Sequence, residues 1–193
     1  MKKITTFIVI FLVCSIAANA QPRALGARIG MTGFDVSYQH TLGKKNFVQA
    51  DMSLDFGYGG SSAPGFKATA IYNFVVARPA WTDKGTWALY TGPGLSLGYV
   101  QDRVVYREGS FRYHPLDYGF MLSFAVQAGL EYTFWFPLQI SVDLRPYFGM
   151  HVNDGVTRRV DATTDRVIWT GKAGYYNNGW FGFVPTLSLR YRF

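Results

Sequence analysis

Three histidines, His40, His114 and His151, are the only imidazoles in this chain of 193 residues, and Cys14 is its only thiol. Ser110 lies near His114, and Asp154 near His151. These are the residue types of nucleophile, base and orienting acid that acyl-transfer or lipid chemistry needs within hydrogen-bond reach. Their spacing matches no catalytic motif, and polar connections carry such residues routinely, so no enzyme is expected. Asp154 and the stretch Asp161-Ala162-Thr163-Thr164-Asp165 offer oxygen donors of the kind calcium takes, without the glycine-pinned loop of an EF-hand. There is no glycine-rich phosphate loop and no Cys/His metal spacing. Catalytic residues, metals and cofactors are therefore not expected. The more informative chemistry is a set of charges placed at alternate positions within otherwise apolar segments: Arg28, Lys67, Arg145, Arg190 and Arg192 against Asp35, Asp51, Asp55, Glu131 and Asp143.

The N-terminus begins Met1-Lys2-Lys3, runs apolar from Ile4 to about Ala18, and then reads Ala18-Asn19-Ala20. A basic start, a short apolar stretch and small residues at Ala18 and Ala20 predict a secretory signal peptide over 1–20, cleaved before Gln21. The apolar run falls short of the roughly 20 residues that a spanning helix needs. Val13 stands where a lipid-bearing cysteine at position 14 would want a small neighbour. Cleavage removes Cys14, so the mature chain has neither a disulfide nor a thiol site. It also removes Lys2 and Lys3, taking the formal charge from +7 to +5. The remaining basic residues are scattered rather than clustered, which argues against a nucleic-acid partner. Aromatics at 18% and 21 glycines fit strands joined by tight turns better than a helical enzyme.

Residues 21–193 read as one domain of strands, because apolar and polar residues alternate with period 2. In the last segment Phe181, Phe183, Leu187, Leu189, Tyr191 and Phe193 share one face, opposite Ser188, Arg190 and Arg192. The same split recurs upstream and predicts eight strands, at 24–31, 34–42, 47–57, 65–76, 86–100, 118–133, 137–150 and 180–193. Short connections, such as Gly43 to Asn46 and Arg78 to Gly85, alternate with longer ones at 58–64, 101–117 and 151–179. Gly92-Pro93-Gly94, in mid-strand, predicts a bend or bulge.

Alternation alone does not say which face looks inward. None of the apolar-face positions carries Asp, Glu, Lys or Arg, whereas the opposite face holds Gly, Ala, Ser and the ten balanced charges. Five bases against five acids suits a confined lumen, since an unpaired buried ion costs several kcal/mol. Aromatics near the strand ends, among them Trp87, Tyr99, Phe120 and Tyr132, suit the two interfaces of a membrane. The expected fold is all-β: an eight-stranded antiparallel up-and-down transmembrane β-barrel, apolar outside and charged within.

The ending Leu187-Ser188-Leu189-Arg190-Tyr191-Arg192-Phe193 resembles the β-signal of outer-membrane barrels. With eight strands, the whole mature chain resembles the small OmpA/OmpX-type barrels. That resemblance implies a bacterial outer-membrane location, contact with outer-membrane lipid and lipopolysaccharide, and recognition of Leu187, Leu189, Tyr191 and Phe193 by the barrel-assembly machinery. No second domain follows Phe193 in the sequence, so a peptidoglycan-binding extension like that of full-length OmpA is not expected. The class holds adhesins, structural proteins, small pores and lipid-modifying enzymes, so it does not by itself give an activity. A lumen filled by charges, Tyr90, Tyr147 and Gln127 points to a closed structural or surface-interaction barrel, with a narrow pore or an outer-leaflet lipid enzyme as alternatives. Within 151–179, Val156–Val160 and Arg166–Thr170 are expected to pair as a hairpin. There Arg158, Arg159, Trp169, Tyr175 and Tyr176 form a candidate binding surface, because exposed aromatics beside arginines are typical of hot spots.

Overall fold

The structure is a computed structural model that describes residues 22–56, 64–101, 107–108, 111–113, 118–161, 163–164, 167–176 and 185–193. Ala18 and Ala20 lie outside the described residues, as do Ser110 and His114. The segments, in order, are β1 Arg23–Gly30, β2 Gly33–Leu42, β3 Asn46–Asp55, β4 Gly65–Ala77, β5 Thr86–Gln101, β6 Arg107–Glu108, β7 Phe111–Tyr113, β8 Tyr118–Thr133, β9 Leu138–Leu144, β10 Tyr147–Asp161, β11 Val167–Tyr176 and β12 Pro185–Arg192.

Every pairing is antiparallel. The wall runs β1–β2–β3–β4–β5–β8–β9–β12 and closes where β12 returns to β1, from Ala24↔Arg192 to Ile29↔Leu187. At this seam Arg23 and Phe193 exchange backbone hydrogen bonds of 3.1 and 2.8 Å. β10 prolongs β9 in the same wall position: Ala128↔Leu144 and Ala125↔Tyr147 keep one register across Arg145-Pro146. Pro146 has no N–H to give, but its carbonyl still accepts from the Val126 amide at 3.1 Å. Eight wall positions therefore form a closed antiparallel barrel, as the alternation predicts. Boundaries agree within two residues through Thr133.

The longer connections differ from expectation. Within 101–117 the described residues include two short paired strands. β5 and β8 pair up to Gln101↔Tyr118, and six residues further along each strand β6 and β7 pair at Arg107↔Arg112. The two pairings share one register. β10 follows the same register, pairing Asn153↔Gly119 and then Arg159↔Tyr113, six residues on with no shift. On its other edge β10 pairs β11, from Gly149↔Tyr176 to Val160↔Val167, with irregularities after Val152 and Arg159. The hairpin expected around 161–165 is present, with turn residues Thr163 and Thr164. Opposite these tall ribbons the β1–β2 hairpin stops at Gly30↔Gly33, so one side of the far rim is low.

Gly92-Pro93-Gly94 carries no bulge. Gly92↔Gln127, Pro93↔Val126 and Gly94↔Ala125 are in continuous register with β8, and the irregularity of β4–β5 lies at Val75/Ala77 instead. The glycine requirement is steric: a Cβ at Gly92 would overlap the Tyr72 carbonyl oxygen of the next strand. At Gly129 a Cβ would come within 2.5 Å of the Tyr90 hydroxyl and 2.7 Å of Asp143 Cβ, so this inward glycine makes room for a ring that fills the lumen. Gly129→Ala is expected to destabilise the barrel by about 1–3 kcal/mol, the usual range for overpacking. Tyr90→Phe, which removes the hydroxyl, should recover part of that loss in urea unfolding of the folded barrel.

Candidate functional site: a charged lumen and a tall ribbon

Burial assigns the two faces. The apolar residues of the strands look out, with Phe124 exposed to 70% and Ile29 to 61%, while Arg28 is 3% and Arg190 1% exposed. An interior lined by ions and amides, and a surface lined by Leu, Val, Ile and Phe, is the inverse of a water-soluble barrel.

The lumen is organised around Arg28. Its β1 position lies opposite Asp35 of β2, and its Nη1 donates to Asp35 Oδ2 at 3.0 Å. Nη2 donates to Asp143 Oδ1 on β9 and to Thr186 Oγ1 on β12, each at 2.5 Å. Asp51 of β3 lies 3.8 Å from Arg28 Nη1 and takes a closer bond of 2.6 Å from Arg145 Nη2. Beside this group Lys67 Nζ meets Asp55 Oδ2 at 2.6 Å, with the ammonium 4.7 Å from the centre of the Tyr147 ring. Charges from five wall positions thus converge on one level of the barrel.

Amides link that level to the end that carries the chain termini. Gln49 donates to Asp51 at 2.9 Å, Gln127 donates to Gln49 at 3.3 Å, and Arg145 donates to Gln127 at 3.1 Å. Nearer the termini Gln139 donates to Gln39 at 2.6 Å, and Gln39 donates to Glu131 at 3.2 Å. Toward the far rim Val100, Met121, Tyr147 and Tyr176 pack together as an apolar plug. His151 is fully buried there, with Nε2 2.9 Å from the Val100 carbonyl and its ring stacked on Tyr176. A small cleft, partly open to solvent, lies under the low β1–β2 hairpin between Arg28, Asp35, Lys67, Arg145 and Tyr147.

All ten expected lumen residues lie on the inward face, and eight are buried; Asp35 keeps 14% of its side chain exposed, and Arg192 is half-buried. Strict acid–base pairing is not what neutralises them. Arg28, Lys67 and Arg145 form ion pairs with Asp35, Asp51, Asp55 and Asp143. Arg190 instead donates to three hydroxyls, Ser37 at 2.9 Å, Ser141 at 3.0 Å and Ser188 at 3.3 Å, and Glu131 rests on the Gln39 amide. Neutral dipoles satisfy a buried ion when they fill its hydrogen-bonding positions. Ser37 and Ser141 belong to strands far from Arg190 in sequence, so only the register brings them together.

Of the five residues expected to make one loop surface, Arg158, Arg159, Trp169 and Tyr175 have side chains outside the described ones; their backbones lie in β10 and β11, where Arg159 pairs with Trp169, Arg158 with Thr170 and Tyr175 with Met150. Tyr176 is 2% exposed and belongs to the plug, so it is not available to a partner. His151, expected on a connection, is likewise an inward residue of β10. Among the described residues no group of three His, Cys, Asp or Glu side chains is placed to hold a metal. Comparison with protein-family models, with curated proteins and with solved structures finds no match to this chain.

The Lys67–Asp55 pair offers a test of how the lumen holds its charge. Losing one partner of a buried pair costs about 3–5 kcal/mol, whereas replacing both by apolar residues is close to neutral. Lys67→Met and Asp55→Leu should each be strongly destabilising, and the double variant should recover most of the loss in a double-mutant unfolding cycle.

Proposed function

We propose that this chain is an integral barrel of a bacterial outer membrane, closed along its lumen and working as a structural or surface-interaction protein through its tall ribbons. The inverted wall carries the reading: a closed sheet that buries its ions and exposes its apolar side chains needs an apolar solvent around it. From Trp87 to Tyr99 β5 advances twelve residues, which at about 3.3 Å each and a tilt of about 40° spans about 30 Å, close to the hydrocarbon thickness of a bilayer. Rings gather at both levels. At the terminal end Trp87 packs on Tyr132 at 4.6 Å and on Trp81 at 5.3 Å, and Phe134 joins them through Tyr132. At the far end Tyr99 stacks on Tyr118 at 6.1 Å. Amphipathic rings favour the two interfaces. The resemblance of the Leu187, Leu189, Tyr191 and Phe193 strand to the β-signal supports delivery by the barrel-assembly machinery, with the short turns on the periplasmic side and the ribbons outside.

Two measurements test this. Val142 is an outward residue of β9, exposed to 49% and at mid-height. Val142→Arg should cost about 2–4 kcal/mol in vesicles, and Met31→Arg, at the rim, about 0–1 kcal/mol. In a water-soluble barrel both surface changes would stay within about 0.5 kcal/mol, and that outcome would reject the membrane reading.

Planar bilayers test closure. With Tyr90, Gln49, Gln127 and Arg190 all buried across the bore, insertion should give no resolved ion conductance. Steady single-channel steps would favour a pore instead.

A further inference from the structure

The net charge of the chain is unevenly placed. The ten inward charges balance five against five, and segments 102–117 and 154–172 hold seven bases against six acids. Outside the lumen the excess gathers at the end that carries the termini, where Arg23, Lys44, Lys45, Arg78 and Lys84 stand against Asp83 alone. Lys44 and Lys45 are exposed in the β2–β3 turn, Arg78 and Lys84 in the β4–β5 turn. Among the described residues every ion pair lies in the lumen, so none of these four meets an acid.

The turns that carry them are fixed to the wall and to each other. The Lys45 carbonyl accepts from the Val75 amide at 2.7 Å, and Arg78 Nη2 donates to the Lys44 carbonyl at 3.2 Å. The Lys84 carbonyl accepts from the Tyr132 hydroxyl at 2.7 Å and from Thr82 Oγ1 at 2.9 Å. Trp87 Nε1 donates to that same Thr82 oxygen at 3.2 Å. Lys84 Nζ lies 5.7 Å from the centre of the Trp135 ring, within cation–π reach. Trp135 in turn continues through Phe134 and Tyr132 to Trp87 in one chain of ring contacts. Lys84 therefore borders the aromatic belt instead of standing clear of it.

Height and charge select the partner. Lys84 is three residues from Trp87, and Arg78 is four from Phe74, an exposed ring of β4. At about 3.3 Å each and a tilt of about 40°, that is at most about 10 Å beyond the rings. The headgroup layer beyond the hydrocarbon is about 5–8 Å deep, and lysine and arginine stems are long enough to reach back into it. A zwitterionic headgroup brings its own cation to its phosphate. An anionic one does not, and each basic residue near an anionic surface raises affinity about fivefold. An acidic macromolecule in the aqueous phase would first have to displace the lipid phosphates already at that level.

We infer that Lys44, Lys45, Arg78 and Lys84 form a site that selects anionic phospholipid headgroups in the leaflet at the terminal end of the wall. The inference deepens the reading above and rests on its membrane placement. The full mature chain is refolded into phosphatidylcholine vesicles, and its association with spin-labelled phosphatidylglycerol is compared with that of spin-labelled phosphatidylcholine. The parent should favour phosphatidylglycerol at least about threefold, and added salt should weaken the preference. The quadruple variant Lys44→Gln, Lys45→Gln, Arg78→Gln, Lys84→Gln should lose it. The triple variant Lys44→Arg, Lys45→Arg, Lys84→Arg, which keeps the charge, should retain it. If the quadruple variant fails to fold, the three lysine-to-glutamine changes without Arg78→Gln should cut the preference about twofold or more. Soluble polyglutamate should not displace the lipid. The site is overturned if the parent shows no preference, if the preference survives salt or the glutamine changes, or if the arginine variant loses it too. Displacement by polyglutamate would assign the rim to an acidic macromolecule and overturn the lipid site as well. Heat-modifiable migration of the vesicle-bound parent separates the two readings. A parent that never inserts overturns the membrane placement and this site together, whereas one that inserts without the preference overturns this site alone.

Discussion

The seam between β1 and β12 is the constraint on which the rest depends. Once Ala24–Ile29 pair with Leu187–Arg192, every strand of the wall has two neighbours, and the backbone groups of the first and last strands are satisfied within the sheet. Without closure those two edges would be open ladders, which neither lipid nor a monomeric protein in water tolerates well. Closure at eight positions also sets the bore. A barrel of that size has an interior just wide enough for side chains to fill, so the inward residues must touch across the lumen.

The chemistry of the lumen follows from that crowding. Arg28 reaches acids on β2, β3 and β9 because the bore is narrow, and Gly129 is a glycine because Tyr90 crosses to Asp143. Ions buried this deeply are tolerated when their hydrogen-bonding positions are filled. The lumen fills them in two ways, with carboxylates around Arg28 and Arg145 and with hydroxyls around Arg190. The first arrangement contributes direct charge compensation. The second holds a cation with dipoles spread over β2, β9 and β12, tying together three strands that include the closing one.

Period 2 made most of the wall legible from residues alone. Leu138, Ile140, Val142 and Leu144 against Gln139, Ser141 and Asp143 can be read as a strand with one apolar and one polar face, and the faces lie where that pattern puts them. Which charge meets which hydroxyl was not legible, because Ser37 and Arg190 become neighbours only through the β1–β2 and β1–β12 registers. The ribbons were partly hidden for a different reason. Residues 101–117 and 151–161 carry arginine and polar residues at both odd and even positions, so the alternation that marks a half-buried strand is not visible there. The hairpin turn at 161–165 could still be recognised from β-formers on either side of it.

The wall contains pairings of very different sequence separation. β5 and β8, and β10 and β11, are near neighbours in sequence, so each pair forms by closing a comparatively small loop. The seam joins the first strand to the last, the largest loop in the molecule, and its entropic cost falls on a single step. The central ribbons are thus the natural nucleus of folding, and the seam is the latch. Until the latch engages, β1 and β12 each present a free edge flanked by outward leucines, the state of the chain most open to pairing with the wrong strand.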